Sequence, residues 1–118
     1  MTVFKNLFFA IIIFSFCQVA AQTQAELTMK AHNDYQKSDK ELNKVYKQLL
    51  SNLDETEKAL LIKAQKDWIK FRDSHCEFEA QEYDGGSMQP MVHSICLKER
   101  TEERIEDLKT SIQNFISK

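Results

Sequence analysis

The chain has 118 residues, 42% hydrophobic and 29% charged, with two Gly and one Pro. That is the length of one small domain, and the composition excludes collagen-like, linker-like and Pro-rich classes and leaves too little turn chemistry for a β-sandwich. Sixteen Lys and Arg stand against 18 Asp and Glu, so there is no basic excess to neutralise nucleic-acid phosphates.

Residues 1–21 read as a signal peptide. Lys5 gives a positive start, Leu7 to Phe16 is apolar apart from Ser15, and Val19-Ala20-Ala21 supplies the small residues of a cleavage site before Gln22. The apolar run is about half the length of a bilayer span. Cys17 raises a second reading, a lipid-bearing cysteine. The residue before such a cysteine is small, and here it is Phe16, so Cys17 reads as a discarded leader residue. The expected product is residues 22–118, a single domain of formal net charge −3 with no integral membrane segment, periplasmic or secreted.

Cys76 and Cys96 are then the remaining cysteines. In an oxidising compartment two thiols most simply pair with each other. The alternative, a nucleophilic Cys76 activated by His75, is poorly served by geometry, because adjacent helical residues point about 100° apart.

Three helical stretches follow in order. From residue 24 to about 53, Leu27, Ala31, Tyr35, Leu42, Val45, Tyr46, Leu49 and Leu53 recur at helical steps. The polar segment Gln36–Lys40 is its weak part. Asn52–Thr56 reads as a turn, with Asp54 and Glu57 in capping-box spacing. From 55 to about 83, Leu61, Ala64, Trp68, Phe71, Cys76 and Phe78 mark a second stripe. Trp68, Phe71 and Phe78 are expected at the core's centre. Asp84-Gly85-Gly86-Ser87 stops this helix, and Pro90 suits the first turn of the next. From about 89 to 117, Met91, Ile95, Leu108, Ile112, Phe115 and Ile116 keep the period, while Lys98–Arg104 is polar. One bent helix fits this stretch, and so do two short ones with Thr101 as the second cap.

In an antiparallel hairpin, residues equidistant from the turn lie side by side. Cys76 and Cys96 are equidistant from Gly86, and the same rule sets Trp68 near Arg104 and Leu61 near Ser111. The expected fold is all-α: a small antiparallel bundle of three to four helices stapled by one disulfide.

The chemistry-bearing residues favour a structural reading. His32, His75 and His93 show no HxxxH or HExxH spacing. His75, His93 and Glu79 are the one set the hairpin brings within reach, and cap or solvent-facing histidines explain them as well; no metal or other cofactor is expected. Carboxylates such as Glu77, Glu79 and Glu82 read as a solvated face rather than an acid–base pair in a cleft. Asp39, Asn43 and Tyr46 border the apolar face of the first helix, and Trp68, Arg72 and Cys76 stack at four-residue steps on the second. A buried Arg72 bonded to a facing helix would fix register. The loop Tyr83-Asp84-Gly85-Gly86-Ser87 is exposed and glycine-tipped, shaped either as a plain connection or as a probe for a partner's cleft.

The ordered motifs carry a family resemblance. They are Gln24-Ala25-Glu26-Leu27; Asp39-xx-Leu42-Asn43-xx-Tyr46-xx-Leu49-Leu50; Ala64-Gln65-xx-Trp68-xxx-Arg72-Asp73-xx-Cys76; Tyr83-x-Gly85-Gly86-Ser87; Cys96-Leu97; and Thr101-xx-Arg104-xxx-Leu108. Over about Gln24 to Leu108 the chain resembles the lysozyme-inhibitor LprI-type N-terminal domain, a family of small exported bacterial proteins. The resemblance implies a helical, disulfide-stapled domain, a role in binding and inhibiting lysozyme, and no catalytic residues. It also implies a further cysteine pair near the start of the domain; Lys30 stands where one of those cysteines is expected, so the first helix lacks that staple.

The leading expectation is therefore an exported, non-enzymatic binding protein that inhibits lysozyme-like muramidases by occluding their cleft, with Tyr83, Asp84, Gly85, Gly86 and Ser87 as contact residues. The alternative is a periplasmic interaction module for another envelope protein. Asp39, Asn43, Tyr46, Trp68, Arg72, Asp73, Thr101 and Arg104 are expected to be structural. Oligomeric state is left open.

Overall fold

A computed structural model describes the backbone over residues 2–117 and side chains over 23–117. The expected leader, its cleavage site and Cys17 fall on residues whose side chains lie outside this described set. Three α-helices run in order: α1 (Thr2–Leu50), α2 (Glu55–Ala80) and α3 (Gln89–Ile116). A single 3₁₀ turn, Gln81–Tyr83, extends the end of α2. The arrangement is up–down–up, so α2 is antiparallel to its two neighbours and α1 lies parallel to α3. The parallel register is visible in cross-contacts: Gln24 meets Met91 and Ser38 meets Glu102.

The end of α1 and the starts of α2 and α3 have local causes. After α1, Asn52 N–H donates to the Leu49 carbonyl, and the Asn52 side-chain amide donates to that of Gln48. These bonds satisfy carbonyls left open at the helix end. At α2 the capping box is complete. Glu57 N–H donates to Asp54 Oδ1 at 2.8 Å, and Asp54 N–H donates to Glu57 Oε2 at 3.1 Å. Glu55 and Glu57 also place negative charge against the positive end of the helix dipole. Pro90 sits in the first turn of α3, where its missing N–H leaves no bond unmade.

The buried faces follow the helical period. On α1 they are Ser38, Leu42, Val45, Leu49 and, past the helix end, Leu53; on α3 they are Ser94, Leu97, Thr101, Ile105 and Leu108. On α2 the buried residues are Gln65, Arg72, Cys76 and Ala80. The core is consequently graded along the bundle axis. Near the 51–54 turn it is apolar, made of Leu42, Val45, Leu49, Leu53, Ile105 and Leu108, with Tyr46, Leu61, Trp68 and Ile112 packed against it. Toward the 84–88 loop the buried positions become mostly polar or small, with Ser38, Arg72, Ser94, Thr101, Cys76 and Ala80 beside the apolar Leu97.

Two expectations are corrected here. Phe71 and Phe78 are not core residues; they are 57% and 74% exposed. Cys76 faces inward toward its bridge. Phe78 lies two residues on, about 200° around the helix, and cannot share that face. The third stretch is one continuous helix, and Thr101 is not a cap but a fully buried side chain in its interior. Its polar run divides by face: Thr101 turns inward, and Glu99, Glu102 and Glu103 turn out to solvent.

Candidate functional site

The end of the bundle opposite the 51–54 turn holds the loop. Cys76 and Cys96 are bridged, with their Cα atoms 5.5 Å apart. This staple ties α2 to α3 about two helical turns below the connection. Above it the chain closes through successive tight turns. Asp84 N–H donates to the Gln81 carbonyl, Gly86 N–H to Tyr83 and Gln89 N–H to Gly86. Gly85 holds φ at 75°, in the left-handed region that glycine enters without steric cost. A Cβ on Gly86 would come within 3.2 Å of the Tyr83 carbonyl oxygen. The two glycines are thus there for different reasons, one conformational and one for close approach. Residues 81–88 are exposed throughout, while their backbone is tied down by these bonds.

The loop borders an open groove of about 790 Å³. Ala25, Thr28, Met29 and His32 of α1 form one wall, and Ser87 and Pro90 the other. Gln24 ties the walls together by donating to Thr28 Oγ1 and, at 3.7 Å, to Met91 Sδ. Charge is unevenly distributed around this end. Between Arg72 and Lys98 the sequence holds Asp73, Glu77, Glu79, Glu82 and Asp84 and no Lys or Arg. The hairpin tip is an acidic lobe on a chain that elsewhere alternates sign.

Below the disulfide lies the polar tier. The Arg72 side chain is 8% exposed. Its Nε donates to Asp73 Oδ1 at 2.9 Å, and its Nη1 reaches Asp39 Oδ1 and Thr101 Oγ1, each at 3.4 Å. The guanidinium also lies 5.5 Å from the Tyr35 ring centre and 5.2 Å from that of Trp68. Arg104 covers Trp68 as well, at 5.8 Å, and donates from Nε to Gln65 Oε1 at 3.0 Å. One residue thus joins all three helices, and the indole is in contact with two guanidinium groups. Burial pushes the Tyr35 phenol above its ordinary value, because the neutral form suits a desolvated site better. Burial likewise lowers Arg104, with Asp107 opposing the shift.

Of the residues expected to be structural, Asp39, Trp68, Arg72, Asp73, Thr101 and Arg104 meet in this tier. Tyr46 packs against the apolar core instead. Asn43 is exposed and takes no part. Tyr35, read in sequence as part of the first apolar stripe, Gln65, read as part of a family motif, and Ser38, read as part of a weak polar segment, also belong to the assembly. Ser38 donates to Glu102 Oε1 at 3.2 Å and so links α1 to α3. Its signal was its spacing, four residues before Leu42 on the buried stripe. His75 lies 3.9 Å from Glu79, and among the described residues no group of three His, Cys, Asp or Glu side chains converges on a metal position.

The sequence model of the family described as "Lysozyme inhibitor LprI" matches residues 17–108. The chain belongs to the LprI family. A relative from Rhizobium meliloti (strain 1021), described as an uncharacterized protein, is 37% identical over 107 residues, covering 80% of this chain and 77% of its own. Among solved structures, a DUF1311 family protein of Pseudomonas putida KT2440 superposes with a TM-score of 0.67 at 23% identity, over 72% of this chain and 89% of its own. That likeness bears on the fold. The family match spans the polar tier, the disulfide and the loop of this LprI-family chain, and among its described residues no helix is long and apolar enough to cross a membrane.

Proposed function

We propose that this LprI-family protein is an exported inhibitor of lysozyme-like muramidases that acts by placing the Tyr83–Ser87 loop over the enzyme's substrate cleft. The observation that carries the reading is the acidic, backbone-tied loop held above the Cys76–Cys96 staple. Two physical arguments support it. A loop whose turns are already hydrogen-bonded loses little conformational freedom on docking. Glu77, Glu79, Glu82 and Asp84, in a stretch of sequence without Lys or Arg, steer the tip toward a cationic enzyme surface, which many lysozymes present. The mechanism is occlusion: Asp84 opposes a basic residue of the cleft, and the Gly85-Gly86 tip enters where the glycan would lie. The chain itself carries out no reaction in this scheme.

The test is a muramidase titration with the oxidised, processed protein, using chicken-type and goose-type enzymes at low and physiological salt. Saturable inhibition at fixed stoichiometry, weakening as salt rises, is expected. Asp84→Lys combined with Ser87→Arg should abolish it without changing helicity. Unchanged inhibition by that double variant would show that another surface makes the contact. No binding by a folded, oxidised sample would move the function to a different envelope protein.

A further inference from the structure

One arm of the α2–α3 hairpin has almost nothing to hold it beyond the disulfide. Among the described residues from Glu77 to Met88, Ala80 alone is buried, and it contributes a single methyl group. Phe78, the large apolar side chain at the end of α2, is 74% exposed and anchors nothing. The backbone bonds from Asp84 to Gln81, Gly86 to Tyr83 and Gln89 to Gly86 tie the turn to itself. The neighbouring segments are secured independently. Arg72, one helical turn before Cys76, is fixed in the polar tier. On α3, Ser94 and Leu97 are buried, and Gln24 of α1 reaches Met91. The two sulfur-bearing residues are also unequal. Cys76 is fully buried, whereas Cys96 is half-buried and lines an opening of about 320 Å³ between His75 and Glu79 of α2 and Glu99 and Arg100 of α3.

We propose that the Cys76–Cys96 bond is a redox latch: a dithiol reductant enters through Cys96 and frees the end of α2 and the loop, while the rest of the bundle stays folded. One thiolate of the dithiol attacks Cys96 Sγ. A mixed disulfide forms there, the Cys76–Cys96 bond breaks, and Cys76 leaves with the electron pair and takes a proton from water. The second thiolate then attacks the reductant's own sulfur in the mixed disulfide, and Cys96 leaves in the same way. Two electrons have passed, the reductant ends as a disulfide and the protein as a dithiol. Entry at Cys76 is closed by its burial. With the bond open, the Ala80 methyl is what remains to oppose fraying past Cys76, and so poorly packed a helix end opens locally. The apolar cluster and the Arg72 tier lie below the break and do not depend on it. A loop on a frayed arm must be ordered again when it docks, so the oxidised form is the binding-competent one. That last consequence rests on the loop being the muramidase contact; the latch itself does not.

Limited proteolysis with a glutamate-specific protease tests it on the processed protein, oxidised, reduced with dithiothreitol, and as the permanently open Cys76→Ser, Cys96→Ser double variant. Cleavage at Glu77, Glu79 and Glu82 should be at least about 10-fold faster in both open forms. Cleavage at Glu57 and Glu106, the fluorescence of Trp68 and most of the helicity should be unchanged. Brief treatment with the monothiol 2-mercaptoethanol, quenched with acid and mapped by mass spectrometry, should place the first adduct on Cys96. If the open forms resisted cleavage as well as the oxidised one, the bond would be holding nothing that moves and the proposal would fail. If cleavage rose equally at Glu57 and Glu106, or the Trp68 signal collapsed, the bond would be securing the whole fold, and the latch would again be wrong. A first adduct on Cys76 would overturn the route of entry. Muramidase inhibition should be lost on reduction and return on reoxidation. An oxidised protein that never inhibits, yet shows the expected change in cleavage, would remove the loop's assigned partner and leave the latch standing.

Discussion

Replacing Arg72 probes the polar tier most directly. In Arg72→Ala the guanidinium leaves two aromatic faces, Tyr35 and Trp68, at 5.5 and 5.2 Å. Partly desolvated contacts of this kind contribute about 1 kcal/mol each. The ion pairs contribute less than their number suggests. Asp39 and Asp73 keep 40% and 52% of their side-chain exposure, so water reaches both carboxylates once the cation is gone, and together they contribute about 1 kcal/mol. The Thr101 contact is long at 3.4 Å and adds little. Truncating the buried aliphatic stem leaves space between three helices, at a cost of about 1 kcal/mol or more. The total is about 4 kcal/mol, a large part of the stability of a domain this size.

Urea unfolding of the oxidised protein at neutral pH measures this, followed by far-ultraviolet circular dichroism and by the fluorescence of Trp68, the chain's single tryptophan. Arg72→Lys separates charge from shape. It keeps a cation near Asp39 and Asp73 but loses the planar fork that faces both rings, so about half the loss is expected. If Arg72→Ala cost under about 1 kcal/mol, or if the Lys variant matched the parent, the tier would not be holding the helices together and the reasoning would fail.

The remaining expectations concern separate features. Replacing both bridged cysteines with Ser, which opens a loop of 20-residue separation, should lower the unfolding free energy by about 3 kcal/mol in the same urea assay. Asp54→Ala removes the α2 capping box and should cost about 1 kcal/mol; a thermal melt unchanged within error would contradict it. Tyr35 makes stability fall at alkaline pH. Its folded-state value is raised, so the unfolded phenol loses its proton first, and the contribution present below about pH 10 is lost as pH rises through the folded value. Tyr35→Phe should flatten that part of the stability–pH profile, measured by urea midpoints from pH 9 upward.

The helices and their order were legible because the period is strong where the core is apolar. Leu42, Val45 and Leu49 on α1 and Leu108 and Ile112 on α3 announce their faces by hydrophobicity alone. The Cys76–Cys96 pairing followed from two cysteines remaining after the leader and agreed with hairpin symmetry, which also made Trp68 and Arg104 neighbours. Hydrophobicity misled where the inward face is polar. On α2 that face carries Gln65 and Arg72, while Phe71 and Phe78 point elsewhere. The information needed was nevertheless present. Once Cys76 is taken as bridged, Arg72 must share its face at a four-residue step, and Phe78 must not. The polar run of α3 misled in the same way, because Thr101 is buried against Arg72 and needs no helix break. Asn43 remained in solvent although it stands beside Leu42, since one residue's rotation carries it off the stripe.

The grading of the core explains why both the disulfide and Arg72 are needed. An apolar cluster secures the end of the bundle near the 51–54 turn, but it stops at about Leu42 and Ile105. Beyond that level the helices present Leu97 together with Ser38, Ser94, Thr101 and Ala80, and this set offers less apolar area to bury. Devices other than the hydrophobic effect therefore hold α2 and α3 together there: a covalent bridge and a guanidinium in contact with groups from all three helices. Both act at short range and fix geometry, which apolar packing of small side chains would not do. The loop is the part of the chain immediately above them. Its position is set by Cys76, Cys96 and Arg72 and its turns by Gly85 and Gly86, which leaves Tyr83, Asp84 and Ser87 exposed and free of core packing.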